Sequence, residues 1–321
     1  MRKIFTAGYL FLPLLRSRIV YPTASFDNLL DNLQQQLPDV LFTSVAVYIG
    51  TSGSANQKLT IQLMDHINAV VGFVKIADKS IAKAFLENEF KALQRFGELQ
   101  LPDVVIPRKQ RLFQTDDTTC LYQDNSFDSG TDCGYAIDER ISNAATTIAR
   151  QTSDATSPGD FYAGKSRQYK ALPLDSGIIR ALQQAIDQLS AANVPSVSVH
   201  GDFVSYNIKL NPGGIALIDW EFYQERGFPL YDLFTFVYQG GVHILNKQPA
   251  ALLNDIRDPH SANGRYIQQY LKELAIDTAL LKPLLMLCLA EGLWMYLSLR
   301  SDADPVNNHF TAGLLVLNNE N

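Results

Sequence analysis

The run from Val197 to Phe222 (VSVHGDFVSYNIKLNPGGIALIDWEF) constrains this 321-residue chain more than any other segment. It opens on Val197-Ser198-Val199, presents His200-Gly201-Asp202, and reaches Asn207 five residues after Asp202. It then passes through Asn211-Pro212-Gly213-Gly214 and ends in the apolar Ile215 to Ile218 before Asp219. β-branched runs on either side of a Pro-Gly-Gly turn predict a strand, a loop and a hairpin. The hairpin folds the chain back, so that Asp219 comes alongside Asp202 and Asn207. A lone Asp at a strand end is ordinarily a turn former or a helix cap. Two carboxylates and an amide converging at strand ends are different. They form an oxygen-only donor set of the kind that suits Mg²⁺, with one carboxylate left to accept a proton.

The rest of the chain supplies a frame for that segment. Residues 25–37 predict a short amphipathic helix, with Ser25 as N-cap and Phe26, Leu29, Leu30 and Leu33 on one face. Phe42 to Gly50, Lys58 to Met64 and Val70 to Ile76 are rich in β-branched and aromatic residues and are joined by turn-forming stretches, which predicts an antiparallel meander. A helix follows from about Ser80 to Phe96, with Ala82, Leu86, Phe90 and Leu93 at helical spacing, and then strands at Val104 to Ile106 and Thr119 to Gln123. Residues 124–175 are polar, a mixture of helix fragments and loops, and helical periodicity returns at Ile178 to Ser190. Beyond residue 230 everything except a 255–265 loop reads as helical. The expected fold is therefore α+β and two-lobed. An extension with a short helix (1–41) precedes a β-rich lobe with one helix (42–123) and a mainly helical lobe (124–321).

Composition excludes several classes of protein. A net charge of −6 argues against a nucleic-acid partner or an anionic membrane surface, both of which call for a basic patch. The charge is unevenly shared: residues 1–115 hold 13 Lys+Arg against 9 Asp+Glu, and residues 116–321 hold 14 against 24. Cys120, Cys133 and Cys288 form neither a CxxC nor a His-spaced cluster, so a reducing, cytoplasmic setting is expected. Arg16-Ser17-Arg18 stands where a leader would need a small-residue cleavage site, which argues against export. Leu280 to Leu299 is interrupted by Lys282-Pro283 and Glu291 and reads as a buried helix rather than a membrane span.

The pattern His200-Gly201-Asp202, four residues, Asn207, then an apolar strand ending in Ile218-Asp219-Trp220-Glu221 resembles the active-site signature of protein-kinase-like phosphotransferases, in particular the aminoglycoside phosphotransferase and choline kinase branch. The resemblance covers roughly residues 42–300. It implies ATP or GTP as co-substrate, Mg²⁺, and a small-molecule hydroxyl as acceptor. It makes Asp202 the catalytic carboxylate, Asn207 a metal ligand, Asp219 the principal Mg²⁺ ligand, His200 a structural partner holding the loop, and Asp232 a brace for it. Glu221 is left open between the metal's surroundings and a structural hydrogen bond. The form His-Gly-Asp, with no Asp-Phe-Gly or Ala-Pro-Glu segment after it, sets the chain apart from protein kinases. A nucleotide-binding module without transfer activity is the alternative reading.

The same resemblance asks for a phosphate-contacting Lys on the third strand and a Glu on the following helix. Lys75 lies within an apolar strand, an uncomfortable place for an ammonium group that lacks a partner. Leu86, Phe90 and Leu93 place Glu89 within the buried helix face and Glu87 to its side, so Glu89 is the expected partner. Gly50 and Gly53 of Gly50-Thr51-Ser52-Gly53-Ser54 occupy the place of the phosphate-covering loop, with GxxG spacing in place of GxGxxG. His243, Cys133 and the stretch Gly159 to Lys170 receive no functional role.

Overall fold

The structure is a computed structural model that describes residues 4–5, 24–49, 57–99, 101–115, 117–125, 130–156, 158–211, 214–300 and 303–320. The chain divides into two compact units, residues 1–98 with 106–129, and residues 99–105 with 130–321. The expected phosphate loop at Gly50 and Gly53 lies outside the described residues, as do the side chains of Ser25 and Phe26.

In the first unit, β1 (Ile4–Phe5), α1 (Ala24–Gln36), β2 (Ser44–Ile49), β3 (Leu59–Met64), β4 (Val70–Ala77) and α2 (Ser80–Leu99) precede β6 (Gln110–Thr115) and β7 (Thr118–Asp124). The strands form one sheet in the order β1-β2-β3-β4-β7-β6. β2, β3 and β4 make the expected antiparallel meander. Alternation along the strands separates two faces. Leu30 and Leu33 of α1, with Leu37, pack on Val45, Val47, Ile61, Leu63, Val74, Ile76, Cys120 and Tyr122. Leu121, between Cys120 and Tyr122, instead meets Ala82 and Leu86 of α2. Helix α1 thus covers one face, and α2 packs on the other.

The second unit adds β5 (Val104–Val105), β8 (Thr131–Asp132), α3 (Glu139–Thr152), α4 (Pro158–Lys170), α5 (Ser176–Ala191), β9 (Val197–Val199), β10 (Ile208–Asn211), β11 (Gly214–Leu217) and β12 (Gln224–Gly227). Helices α6 (Tyr231–His243), α7 (Pro249–Arg257), α8 (Ala262–Glu273), α9 (Leu281–Leu299) and α10 (His309–Asn318) complete it. Residues Leu281 and Pro283 to Leu293 of α9 are buried on every side, which makes it the unit's core helix. The segment 278–299 is also the one described helix long and apolar enough to cross a membrane, with 67% of its apolar window buried in the protein.

Several elements depart from the sequence expectation. Strand β6, Gln-Arg-Leu-Phe-Gln-Thr, was not expected; it is an edge strand with a polar, half-exposed pattern, the form that edges take to remain soluble. Strand Val104–Val105 pairs in parallel with β11 in the second unit rather than extending the first sheet. Residues 139–152 and 158–170 are regular helices rather than fragments, and the expected 255–265 loop shrinks to the turn between α7 and α8, where Ser261 caps Gly264 N–H.

Leu33 is fully buried on the face of α1 that packs on the sheet. Leu33→Ala should therefore cost about 2–5 kcal/mol, read as a lower urea midpoint at unchanged m-value. A loss below about 0.5 kcal/mol would show that α1 is not part of that core.

Candidate active site

The motif segment folds around one buried carboxylate. Asp232, in the first turn of α6, accepts the backbone N–H of His200 at 2.8 Å and that of Gly201 at 3.1 Å. Gly201 has φ +86°, and a Cβ there would lie 2.1 Å from the carbonyl oxygen of Phe222, so the position requires glycine. The Asp202 amide N–H points at His200 Nδ1 at 3.3 Å, which makes Nδ1 the acceptor. The ring proton therefore sits on Nε2, which donates to the Ile218 carbonyl at 3.0 Å. His200 is fully buried, 4.5 Å from the Trp220 ring. It ties the loop bearing Asp202 to the strand end bearing Asp219.

Asn207 makes the second tie. Its Nδ2 donates to the Asp202 backbone oxygen at 3.0 Å and to Asp202 Oδ2 at 2.9 Å. With both donors directed at Asp202, the remaining polar atom of the amide is Oδ1, a hard oxygen donor. The β10–β11 hairpin pairs Ile208 with Leu217, and Ile218 N–H bonds the Asn207 carbonyl at 3.1 Å, so Asp219 emerges beside Asn207. Asp219 itself adopts φ 67°, ψ 59°, the left-handed region. For a non-glycine residue this conformation stores of order 1 kcal/mol, and such strain collects at functional sites.

In the first unit, Lys75 Nζ meets both oxygens of Glu89, at 2.7 and 2.9 Å. Glu89 is fully buried on α2, whereas Glu87 is exposed. Gln123 was not anticipated from the sequence: its Nε2 donates to Glu89 Oε1 at 2.8 Å and fixes the carboxylate that fixes the lysine. The available signal was its place at the end of the apolar run Cys120-Leu121-Tyr122, since an amide buried there demands a partner.

Asn207 and Asp219 fit a magnesium ion by the chemistry of their donors. Among the described residues no cluster of three or more His, Cys, Asp or Glu could hold a metal. Two protein oxygens leave the other positions to water and phosphate oxygens, the usual way in which Mg²⁺ is held.

Comparisons with known proteins bear on the fold and on the segment that carries the motif. Residues 140–277, which contain His200, Asp202, Asn207, Asp219 and Asp232, match the family described as the phosphotransferase enzyme family (APH). Fold and motif resemble those of phosphotransferases of protein-kinase-like fold, in keeping with the resemblance read from the sequence. Among solved structures, the chain is similar to aminoglycoside 2'-phosphotransferase-IIIa in a GDP complex (13% identity, 91% of this chain and 97% of that one, TM-score 0.52). It is likewise similar to choline kinase LicA from Streptococcus pneumoniae (16% identity, 89% and 98%, TM-score 0.52). A third is a thermostable mutant of aminoglycoside phosphotransferase APH(4)-Ia with ADP and hygromycin B (15% identity, 89% and 94%, TM-score 0.50). No curated protein sequence matches the chain.

Burial pushes the Asp232 carboxyl up to about 7; the two amide bonds act against this, and the charge of Asp202 adds to it. A carboxyl whose pKa rises on folding binds its proton more tightly in the native state. Its contribution to stability is present below the ordinary carboxylate range and is lost as pH rises through about 7. The stability of the parent relative to Asp232→Asn, measured by urea unfolding, should therefore fall between about pH 4 and about pH 7. A difference constant over that range would contradict the assignment.

Proposed function

We propose that the chain is a small-molecule kinase that moves the γ-phosphoryl group of ATP or GTP to a hydroxyl of a small acceptor, with Mg²⁺ as cofactor. The observation that carries this reading is the pairing of Asn207 with Asp202. One amide ties down Asp202, donating once to its backbone carbonyl and once to its carboxylate, and keeps its own oxygen for a cation.

Each residue then has a distinct task. Asp202 holds the acceptor hydroxyl and takes its proton. The acceptor oxygen forms its bond to the γ-phosphorus as the bond to the β,γ-bridging oxygen breaks, and the nucleoside diphosphate leaves. Asn207 Oδ1 and the Asp219 carboxylate would hold Mg²⁺, which would supply charge neutralisation on the phosphate oxygens. Within the first unit, Lys75, held by Glu89, which Gln123 fixes in turn, presents a directed positive charge of the kind that nucleotide phosphates take. His200, Gly201 and Asp232 touch no reacting atom; they set the position of Asp202. Structurally similar proteins solved with ADP and hygromycin B, and with GDP, support nucleotide use and a small-molecule acceptor.

Asp202→Asn keeps the shape of the loop while removing the proton acceptor. Nucleotide binding and melting temperature should stay close to the parent, and turnover should fall about 10²-fold or more, whether read as transfer to an acceptor or as slow hydrolysis of the triphosphate. Undiminished turnover would remove Asp202 from the mechanism. A parent that binds nucleotide but transfers phosphate neither to an acceptor nor to water would instead be a binding module.

A further inference from the structure

The second unit buries a carboxylate that the reaction above does not use. Glu291, in the middle of α9, is 4% exposed. Its Oε2 accepts three donors from α4: Lys165 Nζ at 2.7 Å, Tyr169 OH at 2.6 Å and Gln168 Nε2 at 3.3 Å. Oε1 takes no hydrogen bond from the described residues, and it is not among the protein's sealed and unpartnered polar atoms. A carboxylate whose three partners all crowd one oxygen keeps the other for something else. Lys165 is similarly arranged. Its ammonium spends one donor on Glu291 and lies 5.9 Å from the Phe161 ring centre and 5.4 Å from that of Phe228, with a side chain 11% exposed.

This pair lies close to the reacting end of the unit. Met295, one turn after Glu291 on the same helix face, receives Tyr231 OH at 3.3 Å. Tyr231 directly precedes Asp232, the brace of the Asp202 loop. Burial, and after it the charges of Glu291, Cys288, Asp232 and Asp202, hold the Tyr231 phenol well above its ordinary pKa, so Glu291 and Asp202 both act on this one ring. Beyond Glu291 the helix becomes more accessible, and Trp294 and Tyr296 are only half-buried.

Resting on the phosphotransferase reading, we propose that Lys165 and Glu291 determine acceptor specificity and select a neutral, polyhydroxylated acceptor over a cationic one. The chemistry follows from the pairing. Glu291 Oε1 accepts from one hydroxyl while a Lys165 N–H donates to its neighbour, and a diol matches both. The carboxylate is already neutralised by Lys165, so a protonated amine gains no unpaired anion there and meets an ammonium at close range.

The test measures kcat/KM of the full-length protein with Mg²⁺ and ATP or GTP for glucose, galactose and mannose, each against its protonated 2-amino-2-deoxy counterpart. The parent should prefer the neutral member of each pair by about tenfold or more. Lys165→Gln exposes the Glu291 charge, so the ratio of amino sugar to neutral sugar should rise about tenfold while KM for nucleotide stays unchanged. A purely structural tie between α4 and α9 would change stability and leave that ratio alone. If Lys165→Gln does not fold, the parent's own ranking decides, and a preference for the cationic partner overturns the proposal. Transfer to none of the sugars also overturns it. If Asp202-dependent hydrolysis of nucleotide persists in that case, the phosphotransferase reading stands; if hydrolysis too is missing, both fall.

Discussion

The buried carboxylate of Asp232, with the amides of His200 and Gly201 as its donors, is the contact on which the geometry of the second unit's site depends. A carboxylate in an apolar interior is costly unless it receives hydrogen bonds, and backbone amides can supply them only from a fixed loop. The loop must therefore adopt the path that brings both amides inward, and this path demands the left-handed Gly201. From there the constraint passes to Asp202 through its amide bond to His200, and to Asp219 through the bond from His200 to Ile218. The Asp202 carboxylate is thus aimed by a chain of buried hydrogen bonds that runs back to Asp232.

The first unit follows the same logic with a different pair. A buried ion pair gives up hydration on both partners, so Lys75 and Glu89 are weak evidence for stability and better evidence for a directed charge. Glu89 is held by Gln123 as well as by Lys75. Glu291 in the second unit repeats the pattern, with three donors on one oxygen. In each case the buried carboxylate orients a neighbouring group.

Much of this was legible in the sequence because several signals coincide there. Strand, turn and apolar strand bracket Asp202, Asn207 and Asp219, and a helix of period 3.6 separates Glu89 from Glu87. What escaped notice was hidden by polar composition or by distance along the chain. Helix α3 buries Ile141, Ala144, Ala145, Ile148 and Ala149 among Ser, Thr and Asn, so its apolar face is small and its composition resembles a loop; the Asp138 cap was the missed signal. Lys165 and Glu291 lie 126 residues apart, and neither local pattern points to the other. Strand β5 read correctly as a strand but joined a different sheet, because pairing is a tertiary choice that propensity does not encode.

The central claim, that the hairpin carrying Asn207 and Asp219 holds a metal on nucleotide phosphates, is tested most directly by calorimetry of Asp219→Asn. Nucleotide binding by the parent should tighten markedly when Mg²⁺ is present, and in the folded variant Mg²⁺ should add little or nothing. A variant that melts like the parent and keeps the full metal-dependent gain in affinity would contradict the account.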